Sequence, residues 1–236
     1  MKLSIFVCVY NEKRTVLDVL NRIQAVDPGP GWQKEVIVVD NCSTDGTREV
    51  LQRLALADTK VIYQPRNMGK GSSIRAAIAH MTGDYGVIQD GDGEYDPADL
   101  PRLLRKAEAE NAAAVFGSRV LGGRPRYRYV QAYAAVRFLS ALTNLLFGSR
   151  LTDVATATKM VRADVLKSLN LVGRSFSLDF ELVDKILLAG HKIHEVEISY
   201  DPRTYEEGKK IKARDGLIAL LVMMRDRLGL SKVQKN

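Results

Sequence analysis

The sequence is poor in the residues that build metal sites and disulfide frameworks. Its 236 residues include two cysteines, Cys8 and Cys42, and three histidines. The cysteines lack metal-site spacing, and His191 and His194 have no third or fourth ligand near them in the sequence. We therefore exclude a zinc site and a disulfide-stabilised fold, and expect two small buried thiols in a reducing compartment.

Long hydrophobic runs are scarce as well. The longest uninterrupted one covers residues 216–224 and is far shorter than the ~20 residues that cross a bilayer. A second segment, residues 132–147, is interrupted by Arg137 and Asn144, which is typical of an amphipathic helix on a core or an interface. Because a strand pattern already starts at Leu3, the sequence leaves no room for a signal peptide, and we expect a cytoplasmic protein.

Two nucleotide-binding fingerprints are missing. Val9-Tyr10-Asn11-Glu12 stands after the first strand, where a dinucleotide-dependent oxidoreductase has Gly-x-Gly-x-x-Gly. Residues 67–75 are rich in glycine but lack the spacing of a phosphate-binding P-loop. The net charge of +7 favours an anionic partner, such as nucleic acid, a membrane surface or a phosphorylated substrate. No known nucleic-acid module matches the chain, so we expect no nucleic-acid partner.

The sequence does contain alternating strand and helix patterns. Strands are predicted at 3–9, 35–40, 60–63, 85–89 and 113–117, with helices between them at 14–25, 45–57, 72–81 and 98–110. This order predicts one α/β domain over residues 1–236, with a mostly parallel, doubly wound sheet and helices on both faces. After Arg119 the pattern is less regular, with helices at 133–147, 180–189 and 215–228 and a strand at 193–199.

The most informative segment follows the fourth predicted strand. Asp90, Asp92 and Glu94 alternate with glycines at the carboxyl end of that strand, where open α/β sheets bind ligands. Hard oxygen ligands of this kind favour Mg²⁺ or Mn²⁺ together with substrate phosphates. The alternative is a solvated acidic turn, with Asp96 capping the next helix.

Two further segments lie at the same predicted edge. Asp40 ends the second strand and can accept a hydrogen bond from a base or ribose, while Ser43 or Thr44 can cap the next helix. Residues 67–75 open a helix and suit a phosphate through Lys70 and helix N–H groups. The alternative is ordinary strand-to-helix turns, since asparagine, aspartate, serine and glycine are common in turns.

These segments resemble motifs of the family 2 glycosyltransferases, which have the nucleotide-sugar-binding fold called GT-A. The matching motifs, in order, are Val9-Tyr10-Asn11-Glu12, residues 38–47 around Asp40, Asn67-Met68-Gly69-Lys70-Gly71 and residues 90–97. Two departures are Asn41, where the family has a second aspartate, and residues 152–159, which differ from the family's usual stretch. Within the family, residues 117–119, 203–211 and 215–216 are similar to the dolichyl- or polyprenyl-phosphate sugar transferases.

The resemblance implies an inverting glycosyltransferase that moves a hexose from a nucleotide-diphospho-sugar to a polyprenyl phosphate. Residues 1–118 would bind the donor, and residues 119–236, ending in an amphipathic helix, the acceptor. Asp40 would contact the base, Asp90 the nucleotide, and Asp92 with Glu94 a divalent metal, Mg²⁺ or Mn²⁺. The implied nucleotide-sugar-binding set is Val9, Tyr10, Asn11, Glu12, Asp40, Gly69, Lys70, Asp90 and Gly91.

Basic residues would bind the phosphates. The implied acceptor set is Arg119, Arg137, Arg203, Lys209 and Lys210, and the implied catalytic residues are Asp92, Arg119 and Arg203. A lipid phosphate is already an anion and needs no strong base. A saccharide hydroxyl acceptor, which is the alternative, needs a carboxylate base, and Asp179 or Glu181 are the candidates. Both also fit a purely structural role, in which their negative charges complement the dipole of a helix.

The sequence also predicts where a lipid-using enzyme would meet its membrane. Basic residues and tyrosines alternate in the segment before the helix at 133–147: Arg124, Arg126, Arg128, Tyr127, Tyr129 and Tyr133. We expect peripheral contact with a membrane surface through this segment, or a membrane-protein partner. A merely solvated basic loop and a non-catalytic nucleotide-sugar-binding module are the alternatives.

Overall fold

The computed structural model describes residues 1–122, 127–204, 206 and 213–230. Its strands are β1 Lys2–Val9, β2 Gln33–Asp40, β3 Thr59–Tyr63, β4 Tyr85–Asp90, β5 Ala114–Ser118, β6 Lys159–Arg162 and β7 Ile193–Glu197. Its helices are α1 Val16–Ala25, α2 Thr47–Gln52, α3 Lys70–His80, α4 Leu100–Glu110, α5 Val130–Phe147, α6 Ala163–Ser168, α7 Ser177–Leu188 and α8 Ala213–Arg227, with a 3₁₀ turn at Pro97–Asp99.

The seven strands form one sheet in the order β3-β2-β1-β4-β6-β5-β7. The neighbours among β1 to β4 are parallel, as are β5 and β7, whereas β6 is antiparallel to both of its neighbours. The carboxyl ends of β1, β2 and β4 therefore meet at one edge of the sheet. The predicted mostly parallel, doubly wound sheet is confirmed.

Helices cover both faces of the sheet because side chains alternate along the strands. In β1, Leu3, Ile5 and Val7 pack on one face with α1 and α4. Phe6 points to the other face, where the core includes α3, α5, α6, α7 and α8. This arrangement confirms the predicted helices on both faces.

Three local predictions need correction. Strand β6 and helix α6 were not predicted, because the short segment from Lys159 to Arg162 carries a charge at each end and no alternating pattern. Helix α2 is shorter than the predicted 45–57. Neither Ser43 nor Thr44 caps it, since Gly46 precedes it and the Asp45 carboxylate accepts a hydrogen bond from the Thr47 amide at 3.0 Å.

Candidate active site

A cavity of about 280 Å³ opens at the carboxyl ends of β1 and β4. It is the kind of crevice in which open α/β sheets bind ligands. Most of the predicted site residues meet there although they come from distant parts of the chain. The predicted residues that line it are Val9, Tyr10, Glu12, Gly69, Lys70, Asp90, Gly91, Asp92, Glu94, Arg119, Asp179 and Arg203.

An acidic cluster in this cavity holds the Arg203 guanidinium. One nitrogen, Nη2, lies 2.7 Å from Asp92 Oδ2, and Nη1 lies 3.1 Å from Glu12 Oε2. Nε lies 3.4 Å from Glu94 Oε1, which also accepts the Arg203 backbone amide at 3.2 Å. Three carboxylates from two separate chain segments thus converge on one cationic group.

Burial disfavours the ionised form of Asp92 unless a nearby cation offsets it. Desolvation raises the pKa of Asp92 to about 7, and the neighbouring Asp90 adds to the rise while Arg203 opposes it. The Glu94 side chain is held in place by the Tyr200 hydroxyl, which donates to Oε2 at 2.7 Å. Carboxylates are hard oxygen donors, the ligand type that Mg²⁺ and Mn²⁺ prefer, but the described residues contain no group of three such side chains already arranged to hold a metal ion. Such an ion would compete with Arg203 for the same oxygens.

Arg203 also stands between two cavities. A second cavity, of about 860 Å³, is lined by charged residues of the β1–α1 and β2–α2 turns, and shares Glu12, Asp92 and Arg203 with the first. Asn11 lines this second cavity and not the first. The ion-paired cluster is therefore the wall between the two spaces.

Arg119 has a more enclosed environment. Its Nε lies 2.6 Å from Asp153 Oδ2 and its Nη2 lies 2.7 Å from Oδ1, which is a bidentate pair. The guanidinium carbon lies 5.9, 5.3 and 5.0 Å from the ring centres of Tyr95, Tyr127 and Tyr200. The tyrosine rings and Asp153 enclose the Arg119 side chain, which is 7% exposed, so Arg119 is fixed before any ligand arrives.

A lysine–aspartate chain forms the opposite wall. Lys70 Nζ lies 2.8 Å from Asp90 Oδ1 and 3.6 Å from Asp179 Oδ2. Burial alone would lower the pKa of Lys70, but Asp179 and Asp90 raise it above its usual value, so the ammonium stays charged. Behind it, burial lowers the pKa of Lys159 to about 8, and Lys159 donates to the Asp179 backbone oxygen at 3.0 Å.

The turns after β1 and β2 hold each other in place. Asn11 adopts a φ of 54°, and its side-chain oxygen accepts the Thr44 amide at 2.8 Å. In return, the Ser43 hydroxyl accepts the Asn11 amide at 2.9 Å. Asparagine tolerates this left-handed backbone better than most residues, which explains its presence after β1.

The departure at Asn41 has a structural explanation. Its side-chain oxygen accepts the Met68 amide at 2.8 Å, and its side-chain nitrogen donates to Asn67 Oδ1 at 2.9 Å. An ionised aspartate cannot donate and could not make the second bond. Asn41 therefore joins the turn after β2 to the loop before α3.

The glycine before α3 allows another segment of the backbone to pack closely against the start of this helix. At Gly69, where φ is 85°, an added Cβ would lie 2.1 Å from the backbone oxygen of Arg174. That same oxygen accepts the Ser72 amide at 3.3 Å. Residues 173–175 therefore pack against the helix start that the sequence predicts to bind a phosphate. Gly69 and Lys70 nevertheless reach the cavity.

Several predicted site residues lie away from the cavity. Asp40 is fully buried and pairs with Arg48 Nε at 2.8 Å. Glu181 is fully buried too, accepts the Gly173 amide at 2.7 Å and pairs with Lys185 at 2.8 Å, so its position does not suit a base. Arg137 is exposed on α5. Lys209 and Lys210 lie outside the described residues.

The contribution of Tyr200 and Asp153 was not foreseen. Tyr95 and Tyr200 form an isolated antiparallel bridge, with ring centres 5.1 Å apart. Asp153 is fully buried beneath Arg119. Residues 152–159 stand out in the sequence as a departure from the family's usual stretch, but no local pattern links Asp153 to Arg119. The tyrosine pair has no local sequence pattern, since its members are far apart in the chain.

The parallel sheet and the acidic cavity at its edge define the molecule as an α/β protein of the GT-A class. Residues 4–169 match the model of "Glycosyl transferase family 2". The chain belongs to this family and is a glycosyltransferase.

Similar sequences occur in archaea and bacteria. An uncharacterized protein of Methanocaldococcus jannaschii is 27% identical over 81% of this chain and 85% of its own length. Glycosyltransferase AglJ of Haloferax volcanii is 27% identical over 92% of this chain and 69% of its own length. The undecaprenyl-phosphate 4-deoxy-4-formamido-L-arabinose transferase of Klebsiella pneumoniae is 33% identical over 45% of this chain, and the match spans 34% of that protein.

Solved structures with the same fold contain nucleotide ligands. Glucosyl-3-phosphoglycerate synthase from Mycobacterium tuberculosis, in complex with Mn²⁺, UDP and phosphoglyceric acid, has a TM-score of 0.71 at 20% identity, covering 97% of this chain and 78% of its own. S. aureus TarS with UDP-GlcNAc has a TM-score of 0.63 at 16% identity, covering 96% of this chain and 66% of its own. These similarities confirm the GT-A fold.

Proposed function

We propose that the protein transfers a hexose from a nucleotide-diphospho-sugar to a polyprenyl phosphate, with inversion at the anomeric carbon. The observation that carries this proposal is the cavity at the ends of β1 and β4, which has on one side the carboxylate cluster that holds the Arg203 guanidinium, and Arg119 and Lys70 on the others. The Klebsiella relative, whose name specifies an undecaprenyl-phosphate acceptor, supports the lipid phosphate. The UDP complexes of the structural relatives support the nucleotide-sugar donor.

In the proposed reaction, a phosphate oxygen of the acceptor forms a bond to the anomeric carbon. The bond from that carbon to the diphosphate oxygen breaks, and its electron pair leaves with the nucleoside diphosphate. Attack on the face opposite the leaving group inverts the anomeric centre. The acceptor phosphate is already ionised, so no proton has to be removed from it.

The side chains of the chain have complementary tasks in this proposal. Asp92 and Glu94, with Glu12 near them, would hold a divalent cation, which supplies electrostatic stabilisation of the departing diphosphate. Lys70 and Asp90 would bind the nucleotide end of the donor. Arg203 would bind phosphate oxygens through paired N–H donors.

Transfer assays with labelled sugar donors test this proposal. The two donors to compare are GDP-mannose and UDP-glucose, each with polyprenyl phosphate, polyprenol or a free saccharide. We expect label to enter the organic phase with polyprenyl phosphate and not with polyprenol. Arg203→Ala should reduce transfer far more than it reduces binding of the free nucleotide. Equal losses of transfer and nucleotide binding would assign Arg203 to the donor site instead.

A saccharide hydroxyl acceptor is the second candidate function, and Asp179 favours it. This carboxylate lines the cavity, and its Oδ1 has no hydrogen-bond partner among the described residues. It could act as a general base for a hydroxyl. Asp179→Asn should abolish transfer to a saccharide if this candidate is right. Retention of transfer to polyprenyl phosphate in the same variant would favour the lipid acceptor.

A further inference from the structure

Two neighbouring helices expose large apolar side chains to solvent. On α5, Val130, Phe138 and Leu145 are 80%, 59% and 81% exposed. On α8, Leu217 and Leu221 are 65% and 70% exposed, and Leu228 just beyond the helix is 63% exposed. Scattered apolar residues are normal on a protein surface, but several on adjoining helices form a patch that marks an interaction site.

The two exposed faces lie on the same side of the molecule. Leu139 of α5 and Val222 and Met223 of α8 belong to one core cluster together with α7. The Thr143 hydroxyl lies 3.8 Å from the Met223 sulfur, which places the two helices in contact. Since both helices bury one face in this core, their opposite faces point outward together. We call this surface the outer helical face.

Among the described side chains of the outer helical face, the exposed charges are positive. Residues 128–150 and 216–230 contain one acidic residue, Asp226, which is 3% exposed, although the whole chain has 28 acidic residues. On this surface the two segments contribute Arg137, Arg150 and Arg227, which are exposed, and Arg225, which is partly buried, whereas Arg128 lines the second cavity beside Glu12 and Asp92. An apolar surface rimmed by cations is complementary to a bilayer with anionic headgroups. It is not complementary to a second copy of itself.

Helix α5 is long and apolar enough, by length and composition, to cross a membrane. From its sequence we predict an amphipathic helix on a core or an interface. In the structure, Val136, Leu139, Ser140 and Thr143 are buried against the rest of the protein. A helix that uses one face to close the core and leaves the other apolar suits the plane of a membrane interface.

We propose that the outer helical face docks on the surface of an anionic lipid bilayer, with α5 and α8 lying in its interfacial layer. Of the docking segment predicted from the sequence, Tyr127 packs against Arg119 and Tyr200, and residues 123–126 lie outside the described residues. The inference rests on the proposed function for its purpose, since a polyprenyl-phosphate acceptor is held in a bilayer. The docking itself is measurable without any transfer.

Sedimentation with vesicles tests the docking. The probes are vesicles of phosphatidylcholine alone and of phosphatidylcholine with 30% phosphatidylglycerol. We expect the protein to bind the anionic vesicles at least tenfold more tightly, and to lose most of this advantage at high salt. The double variant Leu145→Gln, Leu221→Gln should bind at least tenfold more weakly. Its matched control is Leu17→Gln, an exposed leucine of α1 on the opposite face of the sheet, which should bind as the unaltered protein does.

Charge variants separate the contribution of the arginines to vesicle binding from that of the apolar side chains. Arg150→Gln with Arg227→Gln should weaken binding to anionic vesicles a few-fold and leave binding to neutral vesicles unchanged. Arg53→Gln, an exposed arginine at the end of α2, is the control. Equal binding by the Leu145/Leu221 and Leu17 variants would overturn the proposal, as would absence of vesicle binding. Concentration-dependent self-association in analytical ultracentrifugation that the Leu145/Leu221 variant abolishes would assign the face to a second copy and overturn it too.

Failure of docking and failure of the proposed function have different signatures. Vesicle binding without sugar transfer to any polyprenyl phosphate would refute the function and leave the docking intact. Transfer to a short, detergent-dispersed polyprenyl phosphate, with no binding to vesicles, would refute the docking and leave the function intact. The Leu145/Leu221 variant should keep full activity on the dispersed acceptor and lose activity on vesicle-embedded acceptor.

Discussion

Arg119 and Arg203 line the same cavity and were both predicted to bind phosphate, yet their surroundings differ. Arg119 has one bidentate partner, Asp153, and is enclosed by three tyrosine rings. Arg203 has three carboxylate partners and lies in the wall between two cavities. An arginine with one matched, buried acid is part of the fold, whereas we expect that an arginine among three carboxylates can be replaced there by another cation.

The largest effect should come from breaking the enclosed pair. Asp153→Asn leaves the Arg119 guanidinium buried without its charge partner, which should lower the free energy of unfolding by about 3–5 kcal/mol. Urea unfolding measures this change. The control is Asp164→Asn, which breaks the bidentate but exposed pair with Arg162 and should cost about 1 kcal/mol or less. Equal losses of unfolding free energy in the two variants would show that the enclosed Arg119–Asp153 pair contributes no more to stability than an exposed pair.

The second effect concerns activity at the acidic cluster. Asp92→Asn should lower transfer by about 10²–10³-fold, because it removes a proposed charged ligand of the cation that would stabilise the leaving group. The thermal midpoint should change little, since no core packing is lost. Asp96→Asn is the control, because Asp96 belongs to the same acidic segment but caps the 3₁₀ turn by accepting the Ala98 amide at 2.9 Å. Unchanged turnover of Asp92→Asn, or full activity in excess chelator, would contradict the assignment.

A third carboxylate shows what burial does without a paired arginine. Asp184 is fully buried, and neither of its oxygens has a hydrogen-bond partner among the described residues. Burial raises its pKa to about 8, and the nearby Asp226 and Glu181 add to the rise, while Lys159 and Arg225 oppose it.

This raised pKa has a direct consequence for stability. Between about pH 4 and pH 8 the unfolded chain loses the Asp184 proton and the folded one keeps it, so the free energy of unfolding falls as pH rises. We expect a fall of about 2 kcal/mol between pH 6 and pH 8 that Asp184→Asn lacks. Parallel pH profiles for the two proteins in urea unfolding would show that Asp184 is ionised in the folded state.

The smallest effect tests whether a metal ion can replace the Arg203 guanidinium as the partner of the carboxylates. Arg203→Gln removes the cation that competes for Asp92 and Glu94, so Mn²⁺ should bind about tenfold more tightly, or about 1.4 kcal/mol. Isothermal titration calorimetry without substrate measures this directly. Arg162→Gln, far from the cluster, should leave Mn²⁺ binding unchanged. Weaker Mn²⁺ binding to Arg203→Gln would mean that Arg203 supports the carboxylates and does not compete with a metal ion.

The same comparison shows what the sequence can and cannot predict. The strand ends that carry Glu12, Asp90 and Asp92 were predictable, because parallel strands align their carboxyl ends and the apolar pattern fixes where each strand stops. The partners of Arg119 and Arg203 were not, since they depend on contacts between segments far apart in the chain. Strand β6 was missed for a related reason: an antiparallel strand of four residues pairs with β4 and β5 without a local pattern of its own.

The position of β6 in the sheet also matters during synthesis. The ribosome completes β1 to β4 long before Lys159–Arg162 emerges, so until then the edge of β4 has backbone groups without their eventual partner. An unpaired apolar strand edge is a template for association with other chains. A nascent chain that stops in α5 would therefore be prone to aggregate. Pairing of β6 with β4 removes this risk at the β4 edge.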